Sequence, residues 1–188
     1  MKIEEYLDWF KADSACVSSA MPPGSILCRN AGEILEMVCS YASDALVFYE
    51  RGDLVNAFAA ASYGYGWMDA GLDQGYLAGR EPAPIPTLEG ALAEGLFAHL
   101  EEKTARYHRM LAEALAGIQI APDAGSVLYL AAEKITRLAD RHLQAGGLLI
   151  DSDKVNALSI ISYGYGWLDC GVRSGLFQIT GNRHLFTI

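Results

Sequence analysis

The sequence predicts an all-α fold, in which two tandem three-helix units pack as an internal pseudo-dimeric helical bundle. Three observations lead to this prediction. The string SYGYGWMDAG at residues 62–71 returns as SYGYGWLDCG at residues 162–171, which indicates a duplicated module. Apolar residues recur at spacings of three and four, as in amphipathic helices. Alternating β-branched residues are scarce, so we expect almost no strand.

The repeat extends on both sides of this string, because further residues of the first copy return in the second. The matched pairs are Tyr6 and Tyr107, Gly24 and Gly125, Asp44 and Asp140, Asp53 and Asp153, Asn56 and Asn156, and Gly75 and Gly175. Pairing Asp44 with Asp140 gives the second copy four extra residues in its next turn, from Gly146 onward. It also places Arg137 where the first copy has Tyr41.

The matched positions divide the chain into two units and a connection. Residues 1–80 are predicted to form the first unit and residues 103–188 the second. Residues 81–102 contain a Pro-rich turn and an N-terminal extension of the next helix. Three of residues 82–86 are proline, and because proline lacks an amide donor, regular structure is not expected there.

Each unit contains three predicted helices with wide apolar stripes. In the first unit, Gly52 can supply a left-handed cap for the second helix, and Asp53 can accept hydrogen bonds from the first amides of the third. The predicted helices are 3–19, about 31–50 and about 54–74 in the first unit, and about 87–117, 126–145 and 154–175 in the second. The first helix of the second unit is lengthened at its N-terminus, from Thr87.

Glycines inside the third helix of each unit require a compensating interaction. Each helical glycine costs about 1 kcal/mol relative to alanine, and the four in the two YGYG strings together cost ~4 kcal/mol. Small residues allow helices to approach closely, and Ala57, Ala60, Ala61 and Gly64 lie on one side of the first copy. We therefore predict that the glycine-bearing helices meet at or near the junction of the two units, which are related by an approximate two-fold axis.

The aromatic and acidic residues of the string have two interpretations. In the first, they form a packing device in which each Asp receives a hydrogen bond. In the second, an aromatic and acidic face of each helix lines a ligand pocket, and the candidate residues are Tyr65, Trp67, Asp69, Tyr165, Trp167 and Asp169. An i,i+4 ion pair of Arg173 does not explain the two aspartates, because the first copy has Asp73 at that place.

Composition and charge exclude several classes of function. The net charge of −9 is unfavourable for nucleic-acid binding. No apolar run approaches the ~18 residues of a membrane span, and the acidic amphipathic start is unlike a secretory signal. The four cysteines show no CxxC pattern, so reduced thiols in the cytoplasm are expected. We predict no metal and no cofactor, because no ligand cluster or phosphate-binding loop is present.

No catalytic constellation is identifiable, so catalytic residues are predicted to be none. One fragment resembles a nuclease motif. Arg137 and His142 form an R-x4-H string on a helix, like that of the all-α HEPN ribonucleases. The first copy does not repeat this string, and the acidic charge disfavours RNA binding.

The unit as a whole resembles a known family. A helix with a Tyr then an Asp, a Gly-Asp turn and a closing GWLDAG-type string resemble the archaeal DUF357 family of uncharacterised helical proteins. The matching residues are Tyr41, Asp44, Gly52-Asp53, Ala57, Tyr63, Gly66–Gly71 and Gly75, and in the second unit Asp140, Asp153, Ala157, Tyr163, Gly166–Gly171 and Gly175. The resemblance implies an archaeal, cytoplasmic, all-α protein and supplies no activity, cofactor or catalytic residue.

These observations favour a non-enzymatic interaction or scaffold protein, which acts through self-association or a protein partner. The alternative is a protein that binds a small ligand on the Tyr/Trp/Asp helix face. A HEPN-like ribonuclease is the second alternative. The sequence alone names no ligand and no partner.

Overall fold

The computed structural model describes residues 1–90 and 92–187. These residues contain six α-helices and two small antiparallel sheets. The helices are α1 (Ile3–Cys16), α2 (Ile26–Glu50), α3 (Leu54–Asp73), α4 (Phe97–Ala116), α5 (Val127–Leu149) and α6 (Lys154–Arg173). Strands β1 (Ser18–Ser19) and β2 (Leu77–Ala78) pair in the first unit, and β3 (Ile118–Ile120) and β4 (Phe177–Ile179) in the second. The predicted all-α fold of two three-helix units is confirmed.

Side-chain caps mark the starts of α2, α3, α5 and α6. The predicted cap of α3 is present, because the Asp53 side chain accepts a hydrogen bond from the Asn56 amide at 3.1 Å. Gly52, which ends the second helix just before this cap, has the expected left-handed φ of 76°. The second helix begins at Ile26, earlier than predicted, because the Ser25 hydroxyl accepts from the Cys28 amide at 3.0 Å.

The predicted helix from Thr87 is wrong over its first part. The α-helix α4 begins only at Phe97, after a 3-10 turn over Glu94–Leu96. Leu88 is instead held in an irregular segment, where its backbone bonds to a side chain of α6. Tertiary contacts therefore override the helix that was predicted to begin at Thr87. We call residues 83–90 the linker segment.

The second helices of the two units match without a gap. Their buried faces have the same pattern: Ala31, Ile34, Val38, Ala42 and Ala45 in α2, and Ala132, Ile135, Ala139, Leu143 and Gly146 in α5. This register makes His142 the counterpart of Tyr41 and places Gly146 inside α5. The alignment of Asp44 with Asp140, and the longer turn it implied, are therefore wrong.

The two units meet where α3 crosses α6. A Cβ added to Gly66 would lie 2.2 Å from the Tyr163 carbonyl oxygen, and one added to Gly166 would lie 2.2 Å from the Tyr63 carbonyl oxygen. Real Cβ atoms do not approach so closely, so only glycine allows the two backbones this contact. The predicted position of the glycine-bearing helices at the junction is confirmed, with reciprocal contacts that reflect the two-fold relation.

Other glycines of these helices face their own unit. A Cβ on Gly64 would lie 2.7 Å from the Tyr41 Cβ, and one on Gly164 would lie 2.6 Å from the His142 Cβ. Gly64 thus packs against α1 and α2, rather than at the junction as predicted, while Gly66 serves the crossing with α6.

Ion pairs with exchanged charges also join the units. Arg173 at the end of α6 pairs with Glu33 of α2 at 2.9 Å, and Asp73 at the end of α3 pairs with Lys134 of α5. Glu33 and Lys134 are at equivalent positions of the two units, and so are Asp73 and Arg173. The acidic and basic partners of one ion pair are therefore exchanged in the other. This arrangement agrees with the expectation that Arg173 does not account for Asp169. Among the described residues, no helix is long and apolar enough to span the membrane.

Candidate functional site

The repeated tyrosines and aspartates of α3 and α6 bond across the junction. The Tyr163 hydroxyl donates to Asp69 Oδ2 at 2.8 Å, and the Tyr63 hydroxyl donates to Asp169 Oδ2. Both carboxylates are completely inaccessible to solvent. Each unit thus supplies the donor for the buried carboxylate of the other, and the four side chains form one reciprocal structure.

Asp69 also faces a cation of its own unit. The Arg80 Nη1 atom lies 3.6 Å from Asp69 Oδ1 and 2.9 Å from Asp13 Oδ2. The Tyr65 hydroxyl donates to Asp13, and the Arg80 guanidinium lies 5.3 Å from the centre of the Tyr65 ring. Burial raises the pKa of Asp69 to about 6, although the Tyr163 hydrogen bond and the Arg80 charge oppose this shift.

Asp169 obtains its further donors from the C-terminal residues. The Thr187 amide donates to both carboxylate oxygens at 3.1 Å. Burial raises the pKa of this carboxyl as well, against the hydrogen bonds from Tyr63 and Thr187. Tyr165 donates its hydroxyl to the Leu185 carbonyl at 2.5 Å. The second unit therefore uses backbone groups where the first unit uses Arg80 and Asp13.

Most of the predicted ligand-binding residues contact protein rather than a cavity. Trp67 is fully buried and Trp167 is 3% exposed. Tyr65 stacks on Tyr6 with ring centres 5.7 Å apart and contacts Phe10 at 4.8 Å. The structure thus places these side chains in the core and at the junction, where the Nε1 atoms of Trp67 and Trp167 have no hydrogen-bond partner among the described residues.

A pocket of about 400 Å³ lies beside the junction, between α2, α3, α4 and the C-terminal residues. We call it the inter-unit groove. Of the six predicted site residues, only Tyr165 is among those that line it. Its aromatic lining residues are Tyr41, Phe48, Tyr63, Tyr107, Tyr165 and Phe186, and its polar lining residues include Asp44, Asn56, Lys103 and His184.

Lys103 and Asn56 form the buried polar end of the groove. Lys103 is only 7% exposed, and its ammonium group donates to the Asn56 side-chain oxygen. The same ammonium group lies 5.0 Å from the centre of the Tyr107 ring. Burial lowers the pKa of Lys103 and raises that of Tyr41 to about 12, so the tyrosine hydroxyl stays protonated at neutral pH.

A comparison with protein families identifies both units. The model of a protein family of unknown function, DUF357, matches residues 5–77 and 106–177. The chain belongs to the DUF357 family. The two matches confirm the tandem duplication predicted from the sequence, and they include both halves of the reciprocal tyrosine and aspartate bonds. Comparisons with curated proteins and with solved structures found no match.

Two further kinds of chemistry can be compared with this DUF357 structure: a metal site, which the sequence did not predict, and the ribonuclease-like string. Within the described residues, no three His, Cys, Asp or Glu side chains are placed to hold a metal ion. Arg137 is exposed and pairs with Glu133 at 3.5 Å, whereas His142 packs against Gly164 of α6. The structure therefore does not bring together the two residues of the ribonuclease-like string.

The residues of the groove were missed, although the repeat contained a signal for two of them. Tyr107 and Asn56 are identical to their counterparts Tyr6 and Asn156, so these positions are shared by both units. Lys103 is the first residue of the predicted second unit and lies within the predicted helix of residues 87–117, but no motif marked it as a candidate site residue. Only the structure shows that α4 brings it to the start of α3.

Proposed function

We propose that this DUF357 protein acts by non-covalent binding, as an interaction protein and not as an enzyme, and that the inter-unit groove is its ligand site. The observation that supports this most strongly is the contrast between the motif and the groove. Asp69 Oδ2 accepts a hydrogen bond from Tyr163 and Asp169 accepts from the Thr187 amide, and both carboxylates are inaccessible to solvent, so neither faces an open volume. The groove instead leaves aromatic rings and polar side chains around an unfilled volume.

The dimensions and chemistry of the groove support binding. Ligand pockets commonly have volumes of roughly 300–1,000 Å³ and combine apolar sides with a few polar groups, and the groove has about 400 Å³. Asn56 and Lys103 offer donors and an acceptor at one end, and Asp44 and His184 lie among the other lining residues. Such a set can orient a ligand.

The test is a thermal-shift screen of small molecules and short peptides on three proteins. These are the wild type, Ala60→Trp, which fills the groove with an indole, and Ala12→Trp, which adds an indole to an exposed position of α1. A ligand present at about 100 times its dissociation constant adds ~2.7 kcal/mol to the free energy of unfolding.

The proposal predicts ligands that stabilise the wild type and Ala12→Trp but leave Ala60→Trp unchanged. The circular dichroism spectrum and unligated melting temperature of Ala60→Trp show whether the variant is folded. If no compound stabilises the wild type, or if all compounds stabilise the three proteins equally, the groove is not the ligand site.

Another variant distinguishes groove binding from the alternative, in which the ligand binds the Tyr65, Trp67 and Asp69 face. Asp69→Asn keeps the shape of the side chain and removes its charge. On our proposal it leaves the affinity of groove ligands unchanged. A tenfold or larger loss of affinity would instead favour the motif face as the site.

Self-association and a cytoplasmic location belong to the same proposal. Aliphatic side chains are exposed at equivalent places in the two units, namely Ile26 and Leu27 in α2 and Val127 and Leu128 in α5. The four cysteines are free, which supports a reducing compartment. Sedimentation analysis tests the first point: a concentration-dependent dimer supports self-association, and a monomer at all concentrations contradicts it.

A further inference from the structure

We infer that the inter-unit groove receives an extended peptide segment of a partner protein, in which an apolar side chain is followed by an acidic one and the Asn56 amide holds the backbone. This inference rests on the proposed function, since it names the class of ligand for the same groove. It comes from the two-fold relation between the units, because the chain itself occupies the counterpart of Asn56.

That counterpart is Asn156 at the start of α6. Its side-chain oxygen accepts a hydrogen bond from the Leu88 amide at 2.7 Å, and its side-chain nitrogen donates to the Leu88 carbonyl at 2.9 Å. Leu88 is only 4% exposed. The linker segment thus shows what binds at this position of the module: an extended backbone, held at both of its hydrogen-bonding groups by one asparagine.

Asn56 is prepared in the same way. Each asparagine donates from its side-chain nitrogen to the aspartate that caps its helix, Asn56 to Asp53 at 2.5 Å and Asn156 to Asp153 at 2.7 Å. The second hydrogen of the Asn56 amide is free to reach a peptide carbonyl. Its oxygen accepts from Lys103, so an ammonium group stands where the other unit has the Leu88 amide.

The charge next to this position indicates the residue that follows the apolar one. Glu89 follows Leu88 and forms a parallel backbone β-bridge with Lys2, while its exposed carboxylate pairs with the Met1 amino group at 3.5 Å. The family match starts at equivalent residues 5 and 106, and this register makes Lys103 the counterpart of Lys2. This register places Lys103 beside the position that follows the apolar residue, and an acidic side chain there would face its ammonium group. Among the described residues that group contacts the neutral Asn56 side chain and the Tyr107 ring.

One difference between the units limits the affinity that we expect of the groove for a peptide. Around the linker segment, the Met1 amino group donates to the Thr87 carbonyl at 3.1 Å, and the Glu89 amide donates to the Met1 carbonyl at 2.7 Å. The counterpart of Met1 lies inside α4, where its backbone is already hydrogen-bonded. A peptide in the groove therefore depends on Asn56, Lys103 and the apolar pocket, and we expect weak, reversible binding.

The test uses a capped peptide with the sequence of the linker segment, Ala-Pro-Ile-Pro-Thr-Leu-Glu-Gly, added to the full-length protein. Isothermal titration calorimetry measures its affinity for the wild type, Asn56→Ala, Ala60→Trp and Ala12→Trp. A second peptide with Asp in place of Leu tests the apolar side chain. We expect one-to-one binding that weakens at least tenfold with Asn56→Ala, with Ala60→Trp and with the Asp peptide, and that Ala12→Trp leaves unchanged.

Two results would overturn the inference. The first is no binding of the Leu peptide to the wild type. If small molecules from the screen still bind the groove, the proposed function stands and only the peptide class is wrong; if they do not, both are wrong. The second is binding that Asn56→Ala leaves unchanged while proteolysis after Glu89 accelerates, because the peptide would then displace the linker segment from Asn156.

Discussion

Replacing Gly66 with alanine tests the packing of the two units most strictly. The new Cβ would lie 2.2 Å from the Tyr163 carbonyl oxygen, whereas ordinary contacts begin at about 3.4 Å. The helices α3 and α6 must therefore separate by roughly 1 Å, and a gap of this size removes a quarter to a half of the dispersion energy of the atoms across it.

The expected loss follows from two opposing effects. Overpacking a dense core costs about 1–3 kcal/mol and sometimes more, while the alanine gains about 1 kcal/mol of helix propensity. Because the obstructing atom is backbone and cannot rotate away, we expect Gly66→Ala to lower the free energy of unfolding by about 3 kcal/mol. In a chain of this length the melting temperature would fall by about 6–12 °C.

The matched control is Gly32→Ala in α2. Gly32 is also helical, but a Cβ there would meet no atom within 4 Å. Without a steric conflict, the change should stabilise the protein by up to ~1 kcal/mol. Urea unfolding followed by circular dichroism measures both variants. If Gly66→Ala were as stable as the wild type, the close approach of α3 and α6 would be refuted.

Three further predictions concern the polar groups. Tyr163→Phe removes a donor from the buried Asp69 carboxylate and should cost about 1–3 kcal/mol in urea unfolding. Because the folded pKa of Asp69 is about 6 and its ordinary value is 3.8, the folded state binds this proton more tightly than the unfolded state. The stability contributed by Asp69 is therefore highest below pH 4 and falls as the pH rises to 6, by roughly 3 kcal/mol, and Asp69→Asn should lack this fall in unfolding curves from pH 4 to 7. Asn156→Ala should release the linker segment and accelerate cleavage after Glu89 by a glutamate-specific protease.

Each of these predictions has its own control. Tyr129→Phe removes a hydroxyl that makes no hydrogen bond with the described residues, and it should leave stability nearly unchanged. Asp8→Asn removes an exposed carboxylate and should keep the wild-type pH profile over the same range. Asn56→Ala should leave cleavage after Glu89 slow. If a variant of a buried group and its control give the same result, the corresponding account of that group is wrong.

The fold was predictable because its determinants are local or repeated. Apolar spacing identified the helices, Asp53 and Gly52 marked one boundary, and the cost of glycines within a helix pointed to a helix crossing. The register of α2 against α5 was not found, because the alignment relied on Asp44 and Asp140, which are both exposed. Packing constrains buried residues such as Ile34 and Ile135, so their spacing is the safer guide.

The reciprocal bonds needed one further argument. Tyr63 and Asp69 are six residues apart, and at about 100° per residue they point in directions roughly 120° apart on the helix. They cannot bond to each other, so a partner from another helix is required. The sequence does not say which helix, because both units contain the same residues. The start of α4 was likewise unpredictable, since Asn156, a residue distant in sequence, holds Leu88 in place.

Hydrogen exchange is the most direct test of the central claim, that the two units form one cooperative structure around the crossing of α3 and α6. The amides of residues 63–69 and 163–169 should exchange equally slowly, through global unfolding alone, and Gly66→Ala should accelerate both segments together. If one segment exchanged much faster than the other, or if Gly66→Ala accelerated only residues 63–69, the units would be independent and the claim would be contradicted.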